Sequence, residues 1–182
     1  MFILYGVLIG LTVGFVLGGR PAGLASLRID YGWLMIAGLI VQIVLFSPFG
    51  AARAGDLGPP IYVGSTLVVA GAIFANLRIT GMALVGLGAV SNLAAIIANG
   101  GYMPADPRAA AALGMAEPTA YSNSSVVADP ALWPLTDIFA MPAWMPWSNV
   151  FSIGDVMIVV GVVIVIAAAM RRSVEPEPAA AA

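Results

Sequence analysis

The stretch Ile153-Gly-Asp-Val-Met-Ile-Val-Val-Gly-Val-Val-Ile-Val-Ile-Ala-Ala-Ala-Met170, closed by Arg171-Arg172, decides the fold class. Its one charge, Asp155, stands at its start. A helix rises about 1.5 Å per residue, so roughly 20 apolar residues cross a hydrocarbon core about 30 Å thick. Working outward from 153–170, four more runs have this character: 2–19, 31–50, 61–77 and 81–98. None carries Asp, Glu or Arg in its middle. In lipid the backbone must satisfy its own polar groups, which leaves helices or a closed barrel. The runs lack the two-residue alternation of barrel strands. The expectation is an all-α integral membrane protein: a bundle of five transmembrane helices, with a partly ordered extracytoplasmic segment over 99–150 between helices 4 and 5.

Composition agrees. Of 182 residues 61% are hydrophobic and 9% charged, with a mean hydropathy of +1.01. A soluble domain carries about 25% charged residues. The seven cations are all Arg, against nine acids, for a net charge of −2. No basic surplus exists to hold a nucleic acid. Cys, His and Lys are absent, which removes disulfides, thiolate or imidazole metal sites, His-based triads and Schiff-base chemistry. No cofactor and no metal are expected, and no catalytic residues are assigned.

Orientation follows from the arginines, because cytoplasmic loops carry the excess of positive charge. Arg20, Arg28, Arg78, Arg171 and Arg172 fall on one side, Arg53 and Arg108 on the other. This places the N-terminus outside and the C-terminus in the cytoplasm of a bacterial plasma membrane. The tail 173–182, Pro- and Ala-rich, reads as disordered. Tyr5, Tyr62 and Tyr102 near outer helix ends, and Tyr31 and Trp33 near an inner one, read as interfacial anchors.

Gly6, Gly10, Gly14 and Gly18 recur every four residues and form one stripe on the first helix, a surface for close helix packing. Thr12, Gln42 and Asn92 lie 10–12 residues into their helices, near the midplane. Buried amides need partners, so these three are expected to face the bundle and bond to one another. They suit either interhelical hydrogen bonding or a ligand site. Ser152-Ile-Gly-Asp155 has the form of a capping box.

The segment 99–150 holds seven of the 13 prolines and three of the four tryptophans. A connection this long is functional or disordered. Asp106-Pro107 signals a short helix ended by Gly114. The motif from Asn99 to Pro104 is expected to meet the motif from Phe151 to Asp155, with Trp144 and Trp147 closing over them as a lid. The candidate polar or ligand site is therefore Gln42, Asn92, Asn99, Tyr102, Ser152 and Asp155.

Asn76 with Gly81, Asn92, Asn99-Gly-Gly-Tyr-Met-Pro104 and Phe151-Ser-Ile-Gly-Asp155 together resemble the signature of a bacterial family of unknown function. That family consists of small multi-pass membrane proteins, and the resemblance implies membrane integration without supplying an activity.

Three functions stay open. The first is a non-enzymatic protein that packs, senses or binds partners, such as other membrane proteins or a small ligand, at its outer face. The second is a substrate-binding subunit of a small-solute uptake system, similar in size to vitamin-binding components that usually have six helices. The third is an enzyme on lipid-linked substrates using Asp106, Asp137 or Asp155.

Overall fold

The computed structural model of the chain describes residues 2–115, 121, 122 and 124–172. The tail expected to be disordered, 173–182, lies outside the described residues. The fold is mostly helical. Five helices form its body: α1 (Phe2–Val16), α3 (Gly32–Leu45), α5 (Gly58–Phe74), α6 (Met82–Ala98) and α8 (Ile153–Met170). Three short ones, α2 (Ala22–Ala25), α4 (Pro48–Ala54) and α7 (Pro107–Ala112), sit in the connections. Two helical stretches, Pro48–Phe74 and Ile153–Met170, are long and apolar enough to cross a membrane; α1, α3 and α6 are shorter apolar helices.

The run 31–50 is not one helix, a correction with a local cause. Ser47 is extended (φ −67, ψ 156), and its side chain accepts from Gly50 N–H at the start of α4. A proline disfavours helical geometry in the residue before it and suits the first helical position after it. Ser47-Pro48 therefore stops α3 and opens α4. A Cβ at Gly50 would collide with the Val44 carbonyl, so α4 folds back tightly over the end of α3. The run 2–19 also ends early. Gly18 adopts φ +78, Gly19 N–H donates to Gly14 O (2.8 Å) and Gly18 N–H to Phe15 O (2.9 Å). This is a Schellman closure of α1.

Close contacts give the helix directions. Gly6 meets Val159, Gly10 meets Val163 and Ile166, and Gly14 meets Met170, so α1 runs parallel to α8. Gly81 meets Gly161, and Gly88 meets Gly154, so α6 runs antiparallel to α8. Gly38 packs on Val69, setting α3 antiparallel to α5, and Gly86 packs on Ile73 between α5 and α6. The order across the bundle is α3, α5, α6, α8, α1.

At one end Asn76, fully buried, clamps the start of α3. It donates through Nδ2 to Asp30 O and Ala72 O (2.7 Å each) and accepts from Asp30 N–H (2.8 Å). Arg78 pairs with Asp30 at 2.8 Å, both half-exposed, so water screens the pair and it adds little to stability. At the other end the chain after α6 forms a cap. Strand β1 (Met103–Ala105) pairs in parallel with β2 (Ser124–Val126), and β3 (Phe139–Ala140) pairs antiparallel with β4 (Val150–Phe151). Phe151 stacks between Phe139 and Phe2, with centroids at 5.4 and 4.4 Å, tying the cap to the start of α1.

Candidate functional site

The entry into α8 organises the site. Ser152 Oγ accepts from Asp155 N–H (3.0 Å), and Asp155 Oδ2 accepts from Ser152 N–H (3.0 Å). This reciprocal pair satisfies donors that a helix start leaves free. Asn92 of α6 completes the ring: its Nδ2 donates to Asp155 Oδ1 (2.8 Å), and its Oδ1 accepts from Ser152 Oγ (2.8 Å). Each carboxylate oxygen of Asp155 thus accepts a hydrogen bond. The approach that allows this is glycine-dependent, since a Cβ at Gly154 would collide with Asn92 Oδ1, and one at Gly88 with the Gly154 carbonyl. Gly81 and Gly88 on α6 face Gly161 and Gly154 on α8, each pair seven residues apart. Sequence reasoning passed over this matched spacing, although it was readable.

Beside this clasp lies a cavity of about 390 Å³, within the range of small-molecule pockets. Its walls are Ile3 of α1, Met35 and Leu39 of α3, Ile73 of α5, Val85 and Ala89 of α6 and Ile158 of α8, with Met103 of β1 at the cap end. Gln42, Tyr62, Thr66 and Asn92 supply its polar groups.

The cavity changes the reading of several residues. Gln42 and Asn92 do not bond to each other or to Thr12, as expected from depth alone. Gln42 Nε2 donates to Ser65 Oγ (3.3 Å) and Thr66 Oγ1 (3.2 Å). Thr12 is exposed and donates to Leu8 O in its own helix. Depth along a helix does not say which side a residue faces. What joins Gln42 to Asn92 is the cavity that both line. Tyr62 is not an interfacial anchor: it is 9% exposed, edge-on to Phe46 at 4.9 Å. Its hydroxyl has no hydrogen-bond partner among the described residues.

Asn99 bonds not to Asp155 but to the cap. It donates to Ala131 O and accepts from Ala131 N–H (2.9 Å each). Tyr102 packs on Tyr121 at 5.1 Å, whose hydroxyl donates to Gly101 O (2.8 Å). Burial, then Tyr102, pushes the Tyr121 phenol up to about 12. Trp144 and Trp147, 83% and 60% exposed, do not pack on the core as a lid; Met103, Leu135 and Tyr121 pack over that end of it instead. Of the glycine stripe, Gly6, Gly10 and Gly14 are buried against α8. Gly18 closes the helix and touches nothing.

One acid stands apart. Asp106 caps α7, and the N–H groups of Ala109 and Arg108 hold its carboxyl below the usual range. Asp137 is 7% exposed, and its backbone is fixed: N–H donates to Pro104 O (2.9 Å), and its carbonyl accepts from Asp106 N–H (3.0 Å). Its Oδ1 is buried without a hydrogen-bond partner among the described residues. Burial, then the charge of Asp155, pushes its carboxyl up to about 7.

The model of a family of unknown function, DUF5317, matches residues 26–167. The chain belongs to this family. The DUF5317 match spans the clasp, the cap and every polar residue of the cavity, and begins after the glycine stripe of α1. No curated protein and no solved structure matches the chain. Within the DUF5317 region, no cluster of three or more Asp, Glu, His or Cys converges on a metal position among the described residues.

Proposed function

We propose that the chain is a five-span membrane protein, N-terminus outside, that binds a small, mainly apolar molecule in the cavity beneath its cap and catalyses no reaction. The cavity carries this reading: about 390 Å³ of apolar wall with four spaced polar groups suits recognition, and among the described residues no nucleophile stands beside a base in it to suit turnover. The five-span reading is supported by side-by-side packing. Helix α1 follows α8 from Val159 to Met170, and α3 and α6 follow α5, so a bilayer that holds the longer stretches holds all five. The helix directions bring the connections with Arg20, Arg28 and Arg78 to the α8 end that carries Arg171 and Arg172, while Arg53 and Arg108 lie at the cap end. That asymmetry favours a cytoplasmic C-terminus.

The test uses n-hexanol as probe and Ala89→Phe as a cavity-filling variant. Hexanol should raise the melting temperature of the purified wild type and leave the variant unshifted. Equal shifts in both would overturn the cavity as the binding place.

A further inference from the structure

A second hollow, of about 370 Å³, opens on the outside of the bundle where α4 folds back beside α3. Ile40, Val41 and Val44 of α3, Leu57 in the turn after α4 and Ile61 of α5 form an apolar wall, and Arg53 of α4 lines the hollow with them. Ile40 and Val44 stand one helical turn apart, so the hollow is a groove that follows the α3 axis. Ile40, Val44 and Leu57 are all more than half exposed. The close approach of Gly50 to the Val44 carbonyl brings α4, and Arg53 with it, to this wall.

Arg53 is held in place without being neutralised. Its guanidinium carbon lies 3.8 Å from the centroid of the Phe49 ring, and Nη1 donates to Phe49 O (3.2 Å). Stacking and one hydrogen bond orient the group and leave the rest of its donor fork for an acceptor. Among the described residues no carboxylate pairs with it; the ion pair they form is Arg78 with Asp30. No acid lines the groove either. An occupant that brings a negative charge to Arg53 and an apolar body to the α3 wall supplies both complements.

We propose that the groove holds one acyl chain of an anionic phospholipid, with its phosphate on Arg53 and its tail along Val44, Val41 and Ile40. A guanidinium fork matches two oxygens of a phosphate. From Arg53 at the cap end the wall runs from Val44 back to Ile40, toward the middle of α3. An acyl chain takes the same course from a headgroup into a bilayer. A second copy of the chain is a poorer complement, since a twofold pair sharing this face would oppose two arginines with no carboxylate from the lining. The proposal rests on the five-span reading, which puts the cap end at the outer headgroups, and is independent of what fills the cavity beneath the cap.

The experiment titrates the purified full chain, in a neutral detergent, with phosphatidylglycerol and with phosphatidylcholine of the same acyl chains, and reads the melting temperature. Phosphatidylglycerol should reach its half-maximal shift at roughly tenfold lower concentration, the weight of one charge-assisted contact. Arg53→Gln, at an exposed position, should abolish that preference, and Arg108→Gln, at the same end of the bundle, should leave it intact. Ile40→Trp should weaken the response to both lipids by filling the groove. Equal responses of the wild type to the two lipids would overturn the site, as would a preference that survives Arg53→Gln, falls equally in Arg108→Gln or ignores Ile40→Trp. Oleate matching phosphatidylglycerol would give the groove to a free fatty acid, and a dimer that forms at the expense of the lipid response would give it to a second copy; either overturns the phospholipid. A chain that stays monomeric in solution without detergent would instead remove the five-span reading itself.

Discussion

The α6–α8 seam and the cap end of the cavity lie side by side, yet they treat polar groups in opposite ways. In the seam, facing glycines bring two backbones together until no Cβ fits, and Asn92, Ser152 and Asp155 close a ring of hydrogen bonds. At the cap end, the Tyr62 hydroxyl, which lines the cavity, and Asp137 Oδ1, which lies in the cap, have no hydrogen-bond partner among the described residues. The hydroxyls of Ser91 on α6 and Ser124 on β2 are also buried without hydrogen-bond partners among the described residues, but neither carries a charge. A buried carboxyl group without a partner costs more than a hydroxyl, so Asp137 destabilises the cap where the clasp around Asp155 stabilises the seam.

Predictions that break or sharpen this contrast begin in the seam. Gly88→Leu or Gly154→Leu should prevent folding or destabilise by more than about 4 kcal/mol, since backbone must move to admit the side chain. Gly64→Ala and Gly71→Ala, in helical positions with open space around the added carbon, should instead raise stability by roughly 0.5–1 kcal/mol. Melting of the four variants in detergent checks this, and a uniform loss would show that the seam is not special.

The second prediction concerns pH. Folded Asp137 titrates near 7 against 3.8 for an ordinary Asp, so the folded state holds an extra proton between those values. Stability should therefore rise as pH falls from 8 to 5, by an amount on the order of 2–4 kcal/mol. Asp30 and Asp106, whose carboxyls are held low by Arg78 and by the α7 N–H groups, act with the opposite sign, and only below about pH 4. A flat profile from 8 to 5 would remove the penalty assigned to Asp137.

Next in size is Asn92→Leu, which leaves Asp155 Oδ1 and Ser152 Oγ each short of a partner. The expected loss is about 1–3 kcal/mol. A neutral result would mean that the capping box alone secures the start of α8.

The helices were legible because long apolar runs without two-residue alternation, bounded by Arg, Pro and Gly, leave few alternatives to a helix. Their ends were less so. Gly18 sits on the stripe by spacing, but the residue after the last turn needs φ > 0, and that demand outranks packing. Ser47-Pro48 was a readable stop hidden by the apolar residues around it. In the site, Ser152 and Asp155 could be paired from their three-residue spacing, whereas Asn92 lies 60 and 63 residues away in sequence and no local rule connects them. Asp137 was visible as an acid, but its burial is created by the pairing of its backbone with Pro104 and Asp106, a long-range event. Tyr62 was misjudged for a simpler reason: closeness to a helix end fixes a level and leaves the facing side open.

The same isosteric change at two aspartates compares the regions most directly. Thermal stability of Asp155→Asn and Asp137→Asn should be measured beside the wild type at pH 8, without ligand. Asp155→Asn should lose about 1–3 kcal/mol, because it replaces an acceptor that the Ser152 and Asn92 donors require. Asp137→Asn should gain stability, because it removes a buried charge that no group compensates among the described residues. Loss of stability in both, to a similar degree, would contradict the distinction between a satisfied seam and an unpaired acid in the cap.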